Sequence, residues 1–212
     1  VSGTTWTRRP AVAAALLALV MLVLVGLELG RATLRARRHD LGGARWIWAP
    51  GVSLAKSPPP VAFYASARLW LPAPPRQARL AIVADEEYAA WLGDGWIGAG
   101  AYRPHGGVDV YEVADRLVAG ENRIVVELRS SRGAGGLLAV LEADGRPLVA
   151  SGAEWRIHRR WSADLWRPAS PRPTGEAPRL WGRPPTGRWR PGAASPPRLP
   201  PSPPGRPPQL SY

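Results

Sequence analysis

The sequence contains no cysteine, and among its 212 residues it has one methionine, one phenylalanine and three histidines. Without cysteine there is no disulfide framework and no thiolate metal site, a composition that fits either side of a membrane. His39, His105 and His158 lie far apart with no ligand spacing, so no metal or other cofactor is expected. A phosphate loop, a Ser-His-Asp signature and a paired metal motif are also missing. Lysine is nearly absent, one against 27 arginines, which reflects a bias of composition rather than a functional choice. What is abundant is proline, at 25 residues, and glycine, at 23; both oppose a mostly helical protein and favour short strands, turns and irregular tails.

The net charge of +12 resembles a nucleic-acid signal until it is mapped along the chain. Residues 1–44 carry +4, residues 45–160 only +2 and residues 161–212 carry +6. A fold that grips phosphates places its basic excess on the fold, whereas here it lies on the flanks, so no nucleic-acid partner is expected.

Residues 11–27, AVAAALLALVMLVLVGL, form an uninterrupted apolar run. As a helix, its 17 residues span about 26 Å, close to the hydrocarbon thickness of a bilayer. Arg8 and Arg9 precede it; Glu28 ends it, and Arg31, Arg35, Arg37 and Arg38 follow. A short basic N-terminus (1–10), a single-pass transmembrane anchor (11–29) and a basic juxtamembrane linker (30–43) are expected. A cleaved signal peptide and a buried helix are the alternatives, although no small-residue cleavage site follows Leu27. The arginine distribution, taken alone, favours a cytoplasmic body, while the position of the run behind Arg8-Arg9 favours export.

From residue 45 the apolar positions recur at period two. In VAFYASARLWL (61–71), Phe63, Ala65, Ala67, Leu69 and Leu71 alternate with Tyr64, Ser66, Arg68 and Trp70, the pattern of a half-buried strand. ARLAIVA (78–84), RIVVELR (123–129) and LLAVLEA (137–143) alternate likewise, and Asp144-Gly145 opens a tight hairpin into PLVA. YAAWL (88–92) meets the turn Gly93-Asp94-Gly95, and WIGAG (96–100) returns as its partner. Asp115 and Leu117 are expected in a short helical turn. Trp46 and Trp48, two apart, are expected on one face of a strand. Short strands at this spacing, separated by Gly, Pro and Asp-Gly, predict one antiparallel sandwich or jelly roll over residues 44–160.

The order of ARWIWAP (44–50), AIVADEEY (81–88), WLGDGWIGAG (91–100), VDVYEVADRLVAGENRIVVEL (108–128), and GLLAVLEADGRPLV with EWRI (136–157) resembles an accessory β-sandwich of the galactose-binding-like, jelly-roll type. Such domains accompany the catalytic domains of bacterial α-L-rhamnosidases and β-galactosidases. The resemblance implies a mainly β domain with a non-catalytic, carbohydrate-binding-like role and an extracytoplasmic body. It departs from the family where members have an Asn-Gly turn and this chain has Gly93-Asp94-Gly95. The remaining residues leave no room for the helical barrel that carries the hydrolytic carboxylates in rhamnosidases, so glycosidase activity does not carry over and no enzyme is expected.

Glycoside hydrolysis needs two carboxyl groups flanking a bond at a defined separation. Asp85, Glu86 and Glu87 are the densest acidic cluster, and their position at a strand end reads as a solvated turn, with a calcium-ligating loop as the sharper alternative. For sugar binding, the flat rings of Trp91, Trp96 and Tyr102 and the polar side chains Asp94, Arg103 and His105 form the candidate set. The competing reading has the two tryptophans pinning the hairpin to the fold, since a tryptophan ring in a small sandwich usually packs.

Residues 161–212 are rich in proline and arginine, as in SPPRLPPSPPGRPP, and are expected to be disordered or partly polyproline II. Within them, PRLWGRPPTGRWRP (178–191) carries Trp181 and Trp189, suited to docking on the sandwich. The functional expectation is a membrane-anchored, carbohydrate-binding-like module with a glycan ligand. The alternatives are a scaffold that holds a protein partner through the sandwich or the proline-rich tail, and an accessory subunit of a glycoside hydrolase.

Overall fold

The structure, a computed structural model, describes residues 8–38, 41, 43–52, 59–102, 107–162, 165 and 174–184. The chain divides into two units, residues 1–39 and 40–212.

In the first unit, helix α1 runs Arg8–Arg38. Alanine and leucine dominate it, both strong helix formers, and its proline stands in the first turn, where no intrahelical donor is lost. The large apolar side chains described, from Val12 to Leu27, are 52–71% exposed. Among the described residues no helix is long and apolar enough to cross a membrane; in α1 the described side chains are those of Val12–Ala14 and Leu16–Glu28.

The second unit is a β-sandwich of two antiparallel sheets. Its strands are β1 (Trp46–Trp48), β2 (Val61–Leu71), β3 (Ala78–Asp85), β4 (Glu87–Leu92), β5 (Gly95–Ala101), β6 (Asp109–Glu112), β7 (Gly120–Ser130), β8 (Gly136–Ala143), β9 (Arg146–Ala150), β10 (Arg156–His158) and β11 (Arg179–Gly182). One sheet has the order β11-β1-β8-β3-β6, with β9 also on β8; the other has the order β10-β2-β7-β4-β5. The backbone of β2 and β7 pairs along all eleven residues, Val61 with Ser130 through Leu71 with Gly120, which fixes the register of the second sheet.

Alternation sorts the side chains. Phe63, Ala65 and Ala67 of β2, Ile124, Val126 and Leu128 of β7, and Leu80 and Ile82 of β3 meet between the sheets, joined by Leu137, Ala139 and Leu141 of β8. Trp48 meets Phe63 edge to face there, with ring centroids 4.8 Å apart. The intervening residues Val83, Leu138 and Val140 join Ala44, Trp46 and Val108 in a second cluster, so the first sheet is covered on both faces. A third cluster unites Tyr64 and Val125, on the outer face of the second sheet, with Leu165.

The turns follow the sequence signals. Asp144 and Gly145 both take positive φ, and the Asp144 carboxylate accepts the Gln77 N–H at 3.1 Å. At the entry to β7, Gly120 has φ +95°, while the Asn122 amide accepts the Val118 N–H and donates to the Val118 and Gly120 carbonyls. Glycines of β5 serve close approach instead: a Cβ on Gly98 would stand 2.6 Å from the Tyr111 ring, and one on Gly100 would stand 2.6 Å from Asp109 Oδ2.

Asp115 does lie in a short helical turn, a 3₁₀ turn over Ala114–Arg116 that follows β6 and is closed by Leu117, as expected. Two expectations are corrected. Trp46 and Trp48 do not share a face, because the register shifts between Trp46 and Ile47 and such a bulge turns the first indole to the other side of the sheet. The sandwich also extends beyond residue 160: β11 pairs antiparallel with β1, Glu176 exchanges two 2.8 Å backbone hydrogen bonds with Ile157, and Trp181 packs against the second cluster. Arg179 stacks over the Trp181 ring at 4.2 Å and donates to the Val52 carbonyl. Trp189 and the proline-rich stretches beyond it lie outside the described residues.

Candidate functional site

The hairpin β4-β5 turns through Gly93, at φ +58°, and Asp94, which is exposed. Since Tyr88, Ala90 and Leu92 enter the inter-sheet core, Glu87, Ala89 and Trp91 belong to the outer face of the second sheet. Three cross-strand rows follow from the register. Val125, Trp91 and Trp96 form the first; Glu127, Ala89 and Ala99 the second; Arg129, Glu87 and Ala101 the third. The indoles of Trp91 and Trp96 meet edge to face, centroids 5.0 Å apart at 67°. Trp91 is 2% exposed and Trp96 half-buried. Trp91 thus pins the hairpin to the fold, and only Trp96 of the pair retains open surface.

In the second row the two alanines leave a depression of about 220 Å³, lined by Glu87, Tyr88, Ala89, Ala99, Glu127 and Arg129. Glu127 is 2% exposed. Its Oε1 accepts from the Arg129 guanidinium at 2.6 Å, and its buried Oε2 has no hydrogen-bond partner among the described residues.

Beneath this hairpin, the Tyr88 hydroxyl donates to Asp109 Oδ2 at 2.8 Å and lies 3.0 Å from the Tyr111 hydroxyl. Burial first, then the bond to Tyr111 and the neighbouring Asp109 carboxylate, pushes the Tyr88 phenol far above its ordinary range. This network links β4 to β6 across the core.

Of the residues expected to bind sugar, Trp91, Trp96 and Asp94 come together at the turn end of the hairpin. Tyr102 follows the far end of β5, where it packs on the second cluster against the other sheet. Arg103 and His105 lie outside the described residues. The acidic cluster is not one solvated turn, because its members diverge. Asp85 is buried, with Arg132 at 3.6 Å. Glu86 accepts the Ser131 N–H at 2.7 Å, the Ser131 hydroxyl at 3.0 Å and Arg132 Nε at 2.7 Å, while Glu87 is exposed in the third row. Partial desolvation raises the Glu86 carboxyl, but the Ser131 N–H, Arg132 and the Ser131 hydroxyl together hold it below the usual range. Among the described residues no group of three or more His, Cys, Asp or Glu is arranged to hold a metal.

Two features escaped the sequence reading. Glu127 sits inside RIVVELR, where alternation marked it as merely outward; a carboxylate in so apolar a strand was the available signal. Trp70, an outward residue near the end of β2, is 74% exposed, a degree that alternation alone does not give.

No family model matches the chain, and no curated protein matches it. Solved structures do. A GH78-family rhamnosidase of Bacillus sp. GL1 is similar at 26% identity and TM-score 0.60 over 71% of this chain and 19% of that one. A Streptomyces avermitilis α-L-rhamnosidase, complexed with L-rhamnose, is similar at 27% identity and TM-score 0.59 over 72% of this chain and 16% of that one. The Pleurotus ostreatus lectin in its apo form shares the fold, with 19% identity and TM-score 0.62 over 74% of this chain and 46% of that one. The chain spans less than a fifth of these rhamnosidases and less than half of the lectin. In class, the described sandwich is similar to a galactose-binding-like accessory domain, comparable with a part of the rhamnosidases rather than with their whole length.

Proposed function

We propose that this chain is a non-catalytic carbohydrate-binding module carried on a hydrophobic helical anchor, with the sandwich outside the cytoplasm. The likeness to the two rhamnosidase structures carries the first half of this reading. The glycan would meet the outer face of the β4-β5 hairpin, where Trp96 offers ring surface and Asp94 an exposed carboxylate beside it. Flat rings cover the apolar C–H face of a pyranose while neighbouring polar groups take its hydroxyls.

The anchor rests on α1. Apolar side chains exposed around a long helix need an apolar surrounding, and a lipid bilayer supplies one. The 17-residue run is short for a hydrocarbon core of about 30 Å, and the flanking arginines suit it by reaching towards the headgroups.

The test is a glycan array followed by calorimetry on the full-length chain in detergent, with L-rhamnose in the panel. Saturable binding that Trp96→Ala weakens without unfolding is the expected result; no binding to any saccharide removes the reading. Recovery of the chain in carbonate-washed membranes, with the sandwich cleaved by protease added to intact cells, is expected for the anchor and its orientation. A chain in the soluble fraction defeats the anchor, and a protected sandwich reverses the orientation.

A further inference from the structure

The depression between the first and third rows has the construction of a ligand subsite. Strands lie about 4.8 Å apart and alternate residues roughly 6.6 Å apart, so two alanines between a row of indoles and a row of long charged side chains leave a dip one ring wide. Its floor is two methyl groups, Ala89 and Ala99. Its walls hold a donor, the half-exposed Arg129 side chain, and two carboxylates, Glu87 and the almost fully buried Glu127.

Glu127 carries the reasoning. One of its oxygens is engaged by Arg129 and the other has no hydrogen-bond partner among the described residues. Buried acceptors are rarely left so in native proteins, because the lost solvation is not recovered. The terminal torsion of a glutamate is broad, so a small rotation turns Oε2 to a group in the depression. The pair then presents an acceptor beside a donor. Adjacent hydroxyls of a sugar match that arrangement, since one can donate while its neighbour accepts. The alanine methyls suit the C–H face of the same ring. A volume of about 220 Å³ lies below the roughly 300–1,000 Å³ of sites for larger molecules, which restricts the occupant to one ring.

We infer that this depression is a subsite for a single pyranose residue of a glycan, with Glu127 accepting from one hydroxyl and Arg129 donating to the next. The inference rests on the carbohydrate-binding reading and names the residues that execute it. Neither Glu127 nor Ala99 belongs to the set expected from the sequence.

The test is calorimetric titration of the full chain in detergent with L-rhamnose and D-galactose, comparing wild type, Glu127→Gln and Ala99→Leu. Gln keeps the shape of Glu127 but turns the second oxygen from acceptor to donor. Leu fills the floor from an exposed position on an edge strand, so this variant remains informative even where Glu127→Gln fails to fold. Affinity for the sugar that wild type binds is expected to fall roughly tenfold or more in each folded variant, with the melting temperature of Ala99→Leu unchanged. Binding within twofold of wild type in Ala99→Leu overturns the subsite and leaves the carbohydrate-binding reading standing. Wild type that binds neither sugar overturns the subsite, and the broader reading falls only when the glycan array is blank as well.

Discussion

Replacing each indole of the β4-β5 hairpin by alanine separates packing from display. Trp91 is 2% exposed, and truncating a buried tryptophan to alanine costs about 3–5 kcal/mol through lost burial and the cavity left behind. Trp96 is half-buried, so its truncation forfeits about half of that burial, roughly 1–2 kcal/mol including the edge contact. Because the rings touch, the double variant falls short of additivity by about 0.5–1.5 kcal/mol. For a domain of this size 1 kcal/mol moves the melting temperature by roughly 2–4 °C, so Trp91→Ala melts on the order of 10 °C lower. Urea unfolding of the four members of the cycle, followed by far-ultraviolet circular dichroism, reads all three terms. A Trp91→Ala variant that loses less than Trp96→Ala, or a cycle that is strictly additive, refutes the assignment of Trp91 to packing.

Two further outcomes follow from close contacts elsewhere. Gly98→Ala sets a methyl 2.6–2.7 Å from the ring and hydroxyl of Tyr111, a buried side chain tied to Tyr88, so overpacking destabilises by about 1–3 kcal/mol in the same urea assay; a neutral result means that the ring is free to move. His158, 2.9 Å from the Ser66 hydroxyl, is pushed from its ordinary 6.5 down to about 4 by burial and then by the nearby Arg123 and Arg68 guanidinium groups. Its folded value lies below its unfolded one, so its contribution is present above pH 6.5 and is lost as pH falls from there through about 4. The difference in stability between wild type and His158→Phe therefore shrinks across that interval, and a pH-independent difference counts against it.

The strands were legible because burial on one face imposes period two. VAFYASARLWL coincides with β2, and the other long strands differ from expectation by a residue or a few at their ends. Turn residues announced the hairpins through their tolerance of positive φ. What the sequence hid was long-range. The bulge that separates Trp46 from Trp48 depends on partners on both sides of β1, and β11 is a four-residue strand inside a proline-rich context whose composition reads as irregular. The candidate face was half legible for the same reason. Trp91 and Trp96 stand out by type and by spacing about a turn, while the alanine row and Glu127 form a candidate site only when three strands are laid side by side.

The pairing of β1 with β11 bears on how the polypeptide acquires its structure during synthesis. Strand β1 is among the first parts of the sandwich to leave the ribosome, yet it meets β8 at a single residue pair, Ile47 with Leu137, and most of its ladder waits for β11 near the other end of the domain. Until that late segment emerges, the nascent domain has an open strand edge and lacks the indole that finishes its outer apolar layer. Contacts so distant along the chain make for slow maturation and a long interval of vulnerability to wrong pairing. Nascent chains released before residue 179 are the ones that would most need a chaperone.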